Sequence, residues 1–193
     1  YGRETDLTPL EAEVSCEMEV SMPTFLLGFK CPPMSGGQEQ MRRTLIGELA
    51  CDVLLGDSSP LYARLYSQGL INGTFGYSFD TLPGVAYAYI GGDSKDPHAV
   101  AEEVLQEARR LVKDGIDPDY YARIVRANYG STLKSLNSFE SIAISLVEGQ
   151  FDGYDPLLFP EMFDSITPQD LLAFIRENLC REHMALSVVY PKE

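Results

Sequence analysis

Basic residues are scarce in this sequence: 15 Lys and Arg stand against 29 Asp and Glu, a formal charge of -14. Such a surface repels phosphate backbones and anionic lipid alike, which sets nucleic acid and membranes aside as partners. Solubility alone accounts for the charge equally well. Cysteine occurs four times, at Cys16, Cys31, Cys51 and Cys180, without C-x-x-C spacing and each time in or beside an apolar segment. That pattern argues against a disulfide framework and predicts reduced, mostly buried core residues in a reducing compartment. Histidine is rarer still, with only His98 and His183. Neither H-E-x-x-H nor H-x-x-E-H occurs, so no helix face offers two imidazoles to zinc. No apolar run approaches the roughly 20 residues of a membrane-spanning helix, and "YGRETDLTPLEAEV" lacks the form of a signal peptide. The chain is therefore expected to be soluble and cytoplasmic. It starts at Tyr1 without an initiator Met, which suggests a piece cut from a longer polypeptide.

What is present is a core and its punctuation. Hydrophobic residues make up 45% of the 193, enough to pack one domain. In "EVSCEMEVSM", Val14, Cys16, Met18, Val20 and Met22 alternate with Ser and Glu, predicting a strand with one wet face. "TFLLGFK" is nearly continuous in apolar residues and predicts a strand covered on both faces. From Gln38 to Leu55, Met41, Leu45, Leu49, Val53 and Leu54 recur at helical spacing, with Gly56 as the stop.

Five helix starts share one device: Ser59-Pro60, Asp96-Pro97, Asp117-Pro118, Asp155-Pro156 and Thr167-Pro168. The side-chain oxygen accepts an otherwise unpaired N–H of the first turn, and proline at the first position has none to leave unpaired. "TFGYSF" and "VAYAYI", joined by "DTLPG", predict a hairpin with Phe75, Tyr77 and Phe79 across from Val85, Tyr87 and Tyr89. Gly76, Ser78, Ala86 and Ala88 then fall on the opposite face. "SITPQDLLAFIRENL" and "MALSVVY" close the chain as helix and strand. The order predicts an α+β fold over residues 1–193, a mostly antiparallel sheet of about five strands with helices mainly on one face.

Chemistry is nearly missing. His98 and Glu102 are four residues apart and could share a metal, but a first-turn pair on an exposed helix is ordinarily solvated. His183 falls at a helix-to-strand boundary. "GDSSP" is not a G-x-S-x-G elbow, and "GGQEQ" and "IGGDSK" lack the spacing of a phosphate-binding loop.

Taken together, "SSPLYARLYSQGLINGTFGYSF", "LKSLNSFESIAISL" and "SITPQDLLAFIRENL" resemble the second, zinc-free half of the pitrilysin/insulinase-type metallopeptidases, the inverzincins, with a bacterial member the nearest type. The likeness spans nearly the whole chain and rests on the order of its segments. It implies two related α+β halves facing each other across a peptide chamber, with H-x-x-E-H, a distant Glu and zinc in the missing N-terminal half and none here. It also implies that the passage after the "SPLYARL" helix contacts substrate through an Arg and a Tyr. In this sequence Tyr66 stands at the Arg position with Arg64 two residues earlier, and Asn72 stands near the Tyr position with Tyr77 the next tyrosine. Arg64, Tyr66, Gln68, Asn72 and Tyr77 are therefore the expected substrate-binding residues, while Tyr62 is expected to pack. The implied partners are the homologous half and a peptide, with a homodimer also open. Two other classes stay open: an inactive scaffold or assembly subunit of the same fold, and an unrelated acidic α+β binding module.

Overall fold

A computed structural model describes residues 2, 4–34 and 36–192. Five strands form one sheet in the order β1-β5-β2-β4-β3, namely β1 (Glu13–Met18), β2 (Thr24–Cys31), β3 (Gly76–Leu82), β4 (Val85–Asp93) and β5 (Met184–Pro191). β1 and β5 run parallel, and the other pairs are antiparallel. The described residues form seven α-helices: α1 (Gly37–Leu55), α2 (Pro60–Ser67), α3 (Pro97–Asp114), α4 (Pro118–Ser135), α5 (Phe139–Asp152), α6 (Phe159–Ser165) and α7 (Pro168–Asn178). This is the α+β architecture expected of the element order.

All five capping oxygens accept first-turn N–H groups: Ser59 from Tyr62, Asp96 from Ala99, Asp117 from Tyr120, Asp155 from Leu157 and Thr167 from Asp170. Each is worth about 1 kcal/mol. Asp155 differs in what it starts, a single 3-10 turn (Pro156–Leu158) that hands over to α6. Thr167 and Asp170 form a reciprocal capping box, and Arg42 of α1 reaches Asp170 at 3.0 Å, tying α1 to α7.

Only one face of the sheet is covered. Along β2, Phe25, Leu27, Phe29 and Cys31 are buried under the helices, whereas Leu26 is 50% exposed. This corrects the expectation that both faces of "TFLLGFK" are covered: its apolar residues populate both faces, but the helices pack on one. β1 is a second correction. All six of its residues are exposed, because it forms the sheet edge beyond the helical layer, and it stops at Met18 rather than Met22.

The hairpin exists, but its register is three residues from the expected one, an odd shift with the same effect on the faces as a shift of one. A two-residue turn, Pro83-Gly84, pairs Leu82 with Val85, and Phe79 then faces Ala88 and Tyr77 faces Ile90. A one-residue slip moves every side chain to the other face. Phe79, Ala86, Ala88 and Ile90 therefore lie under the helices, and Tyr87 and Tyr89 project from the bare face beside Ser78 and Asp80. α1 approaches this hairpin so closely that a Cβ at Gly47 would collide with the Phe79 ring, which meets Phe174 of α7 edge-on at 5.2 Å.

The cysteines divide. Cys31 and Cys51 are buried, Cys180 is half-buried and Cys16 is exposed on β1, correcting the expectation of four mostly buried thiols. Burial pushes the Cys31 thiol up to about 12 and the Cys51 thiol higher still. Titration of the native protein with a thiol reagent is expected to modify Cys16 first and to leave Cys31 and Cys51 unmodified until denaturant is added. Rapid native modification of Cys51 would contradict this packing.

Candidate functional site

The helices leave the other face of the sheet uncovered. Because neighbours in register share a face, Leu26, Gly28 and Lys30 of β2 lie beside Tyr87, Tyr89 and Gly91 of β4 and Ala185 and Ser187 of β5. Val14 and Cys16 of β1 continue this surface next to Ser187 and Val189. The rings of Tyr87 and Tyr89 lie 6.1 Å apart. Between Leu26, Gly28, Tyr87, Tyr89 and Ala185 the face sinks into a hollow of about 610 Å³. Residues 4–12 pass over one end of it: the Glu4 N–H donates to the Gly84 carbonyl at 2.9 Å, Lys30 Nζ pairs with Glu4 at 3.2 Å and donates to the Thr8 carbonyl at 3.3 Å, and the Leu186 N–H donates to Ala12 at 2.9 Å.

The five residues expected to bind substrate sit where α2 turns into β3. Arg64 is half-buried and pairs with Glu103 at 2.9 Å and Glu107 at 3.2 Å. Glu107 is only 3% exposed; burial pushes its carboxyl up, but the bonds from Arg110 and Arg64 outweigh burial and hold it below the ordinary value. Tyr66 is 58% exposed and stacks on Tyr62, which packs against Phe75. Gln68 is exposed, and its carbonyl accepts from Lys95 at 3.0 Å. Asn72 closes a local turn by accepting from the Thr74 N–H at 2.8 Å. Tyr77 points under the helices, where its hydroxyl donates to Asp52 Oδ1 at 2.8 Å. The structure thus brings Arg64, Tyr66 and Gln68 onto one short helix and its cap, with Asn72 in the following loop, and directs Tyr77 elsewhere.

Asp52 was not legible as a special residue. It lies mid-helix in α1, and its second oxygen accepts from Asn128 of α4 at 2.6 Å, so that β3, α1 and α4 meet on one carboxylate. Burial first, and then the charge of Asp52, push the Tyr77 phenol well above its ordinary value. One turn earlier on α1, Glu48 lines a recess of about 300 Å³ between α1, α4, α5 and β3. Its side chain is exposed to solvent, with part of its surroundings formed by the protein. Burial, followed by the charges of Asp52 and Asp80, raises its carboxyl to about 7.

Zinc does not fit the donors present. His98 lies 3.4 Å from Glu13 and from the Tyr190 hydroxyl, Glu102 pairs with Arg181, and His183 sits in a separate turn. Among the described residues no three His, Cys, Asp or Glu side chains are grouped to hold a metal. Among them, too, no helix is long and apolar enough to cross a membrane.

Residues 2–128 match the family described as the peptidase M16 inactive domain. The chain is 31% identical over 188 residues to the uncharacterized zinc protease YmfH of Bacillus subtilis (strain 168), a match that covers 93% of this chain and 42% of that protein. Its fold is that of an M16-like peptidase from Alicyclobacillus acidocaldarius, with a TM-score of 0.90 at 22% identity over 96% of this chain and 45% of the other. A peptidase M16 inactive domain from Pseudomonas fluorescens superimposes with a TM-score of 0.70 at 15% identity, covering 96% and 45%. The chain belongs to the peptidase M16 inactive-domain family. It spans less than half the length of these relatives.

Two outcomes follow for mutants. In urea unfolding, Arg64→Ala and Tyr77→Phe are each expected to cost about 1–3 kcal/mol, since each strips a partner from a carboxylate inside the domain. Tyr66→Ala is expected to stay within about 0.5 kcal/mol, as an exposed position should. Because folding raises the Glu48 pKa, the native state binds more protons than the unfolded one between the ordinary carboxylate value and about 7, and stability falls as pH rises through that window. Glu48→Gln should flatten the fall in thermal midpoint across it; an unchanged slope would show that Glu48 titrates normally.

Proposed function

We propose that this chain, residues 1–193 acting as one domain, is the substrate-binding, metal-free half of a zinc peptidase, walling a peptide chamber whose metal and general base belong to a homologous N-terminal half. The observation that carries this reading is the bare sheet face: a central strand with apolar side chains on both sides, helices on only one, and paired tyrosines with a hollow on the other. A family of inactive domains and a relative named a zinc protease, of which this chain spans 42%, support the division of labour.

At the α2 end, Tyr66 and Gln68 are the side chains free to meet peptide. Arg64, Asn72 and Tyr77 support that passage through their bonds within the domain. The outward apolar residues of α5, Phe139, Val147 and Phe151, supply area for contact with the other half. A charge of -14 favours that partner over a second copy of this chain. Four cysteines without a disulfide fit a reducing, cytoplasmic setting.

Peptide turnover with and without this chain is the test. The N-terminal half joined to this chain is expected to cleave peptides, neither half alone should do so, and Tyr66→Ala in the joined protein should raise KM without altering thermal stability. An N-terminal half that works equally well alone would overturn the reading.

A further inference from the structure

We propose that the recess between α1, α4, α5 and β3 is a binding site for a small amphipathic primary amine, whose ammonium sits on Glu48 and whose apolar part lies between α4, α5 and α6. The site is on the helical side of the sheet, so it stands whether or not the bare face meets peptide.

One end of the recess is polar. Gln40, Thr44 and Glu48 follow one another at four-residue steps and share a face of α1, and Thr81 of β3 joins them from the helical face of the sheet, beside Ala86. Glu48 is exposed to this space, and no Lys or Arg lines it. A second carboxylate, Asp152 at the end of α5, accepts from Gln40 at 3.1 Å and has no cationic partner among the described residues. The charges of Asp152, Glu148 and Glu48 all act on the Tyr154 phenol, so negative charge gathers at this end without compensation. An ammonium group fits it, because its three N–H donors need carboxylate and hydroxyl acceptors. A metal ion does not, since among the described residues no third donor is grouped with these carboxylates.

The rest of the recess is apolar. Leu45 of α1, Leu136 of α4, Ile142 and Leu146 of α5 and Phe159 of α6 line it, and its volume of about 300 Å³ is at the small end for a ligand pocket. That space takes one short alkyl or aryl chain. α5 forms a wall of it although most of its side chains face solvent, Ile144, Val147 and Phe151 among them, so this helix has little packing of its own. An amine lying between Glu48 and Leu146 ties α5 to α1.

n-Hexylamine, 1-hexanol and hexanoate share a chain and differ in the charge at its end, so calorimetric titration of each into chelator-treated protein carrying both halves is the test. Chelation removes any metal in the other half as a competing site for the amine. Hexylamine should bind at least about tenfold more tightly than hexanol, the worth of one charge-assisted hydrogen bond, and hexanoate more weakly than hexanol. Glu48→Gln should bring hexylamine down to hexanol, and Leu146→Ala should weaken both. Asp52 of α1, Asp80 of β3, Glu148 and Asp152 of α5 and the Tyr154 phenol surround Glu48. Only the charged Glu48 carboxylate holds the ammonium, so hexylamine affinity should rise with pH through about 7, and Glu48→Gln should remove that rise. Hexanol binding as tightly as hexylamine, or hexylamine binding that both variants leave unchanged, overturns the site, as does no hexylamine binding up to about 10 mM. If Glu48→Gln does not fold, Leu146→Ala and the pH profile of the wild type decide alone, and the site is overturned unless the first weakens hexylamine binding and the second shows the rise.

Discussion

A helix can sit close on a sheet only where one of the two surfaces gives up side-chain volume, and α1 does so at Gly47. The ring of Phe79 occupies the space where a Cβ would be, with Phe174 of α7 across its edge. This contact fixes which face of β3 looks toward the helices, and through the Pro83-Gly84 turn it fixes β4 as well. With Phe79 directed inward, Ala88 follows it inward and Tyr87 and Tyr89 must point outward. The aromatic surface proposed to meet peptide is thus a consequence of how the core packs on the opposite side.

The same one-sidedness explains what could be read from the sequence and what could not. Capping is local, since an oxygen and a proline next to each other decide a helix start within four residues, so all five capped starts were legible. The order of elements and the α+β class followed from them. Hairpin register was not legible, because "DTLPG" allows more than one turn and the choice between them is made by Phe79 and Gly47, 32 positions apart in the chain. β1 and "TFLLGFK" misled for a related reason: periodicity reports which residues are apolar, not whether anything lies above them. Cys16 shows this well, being part of an apolar alternation on a strand that the helical layer does not reach.

At the site, residue types were easier to foresee than their roles. Arg64 and Tyr77 carry polar groups in a passage resembling a substrate-contact region, yet each is bound to acidic side chains far away in sequence, Glu103 and Glu107 for the first and Asp52 for the second. Asp52 gives no sign of itself because its partners, Tyr77 and Asn128, come from other elements.

The proposed role in holding substrate rests on the bare sheet face with its paired tyrosines. Hydroxyl-radical footprinting of the two-half protein, with and without bound peptide, tests that claim most directly. The account predicts that peptide protects Tyr87 and Tyr89 from modification and leaves Tyr121, on the helical side, unchanged. Modification of Tyr87 and Tyr89 that is indifferent to peptide would contradict it.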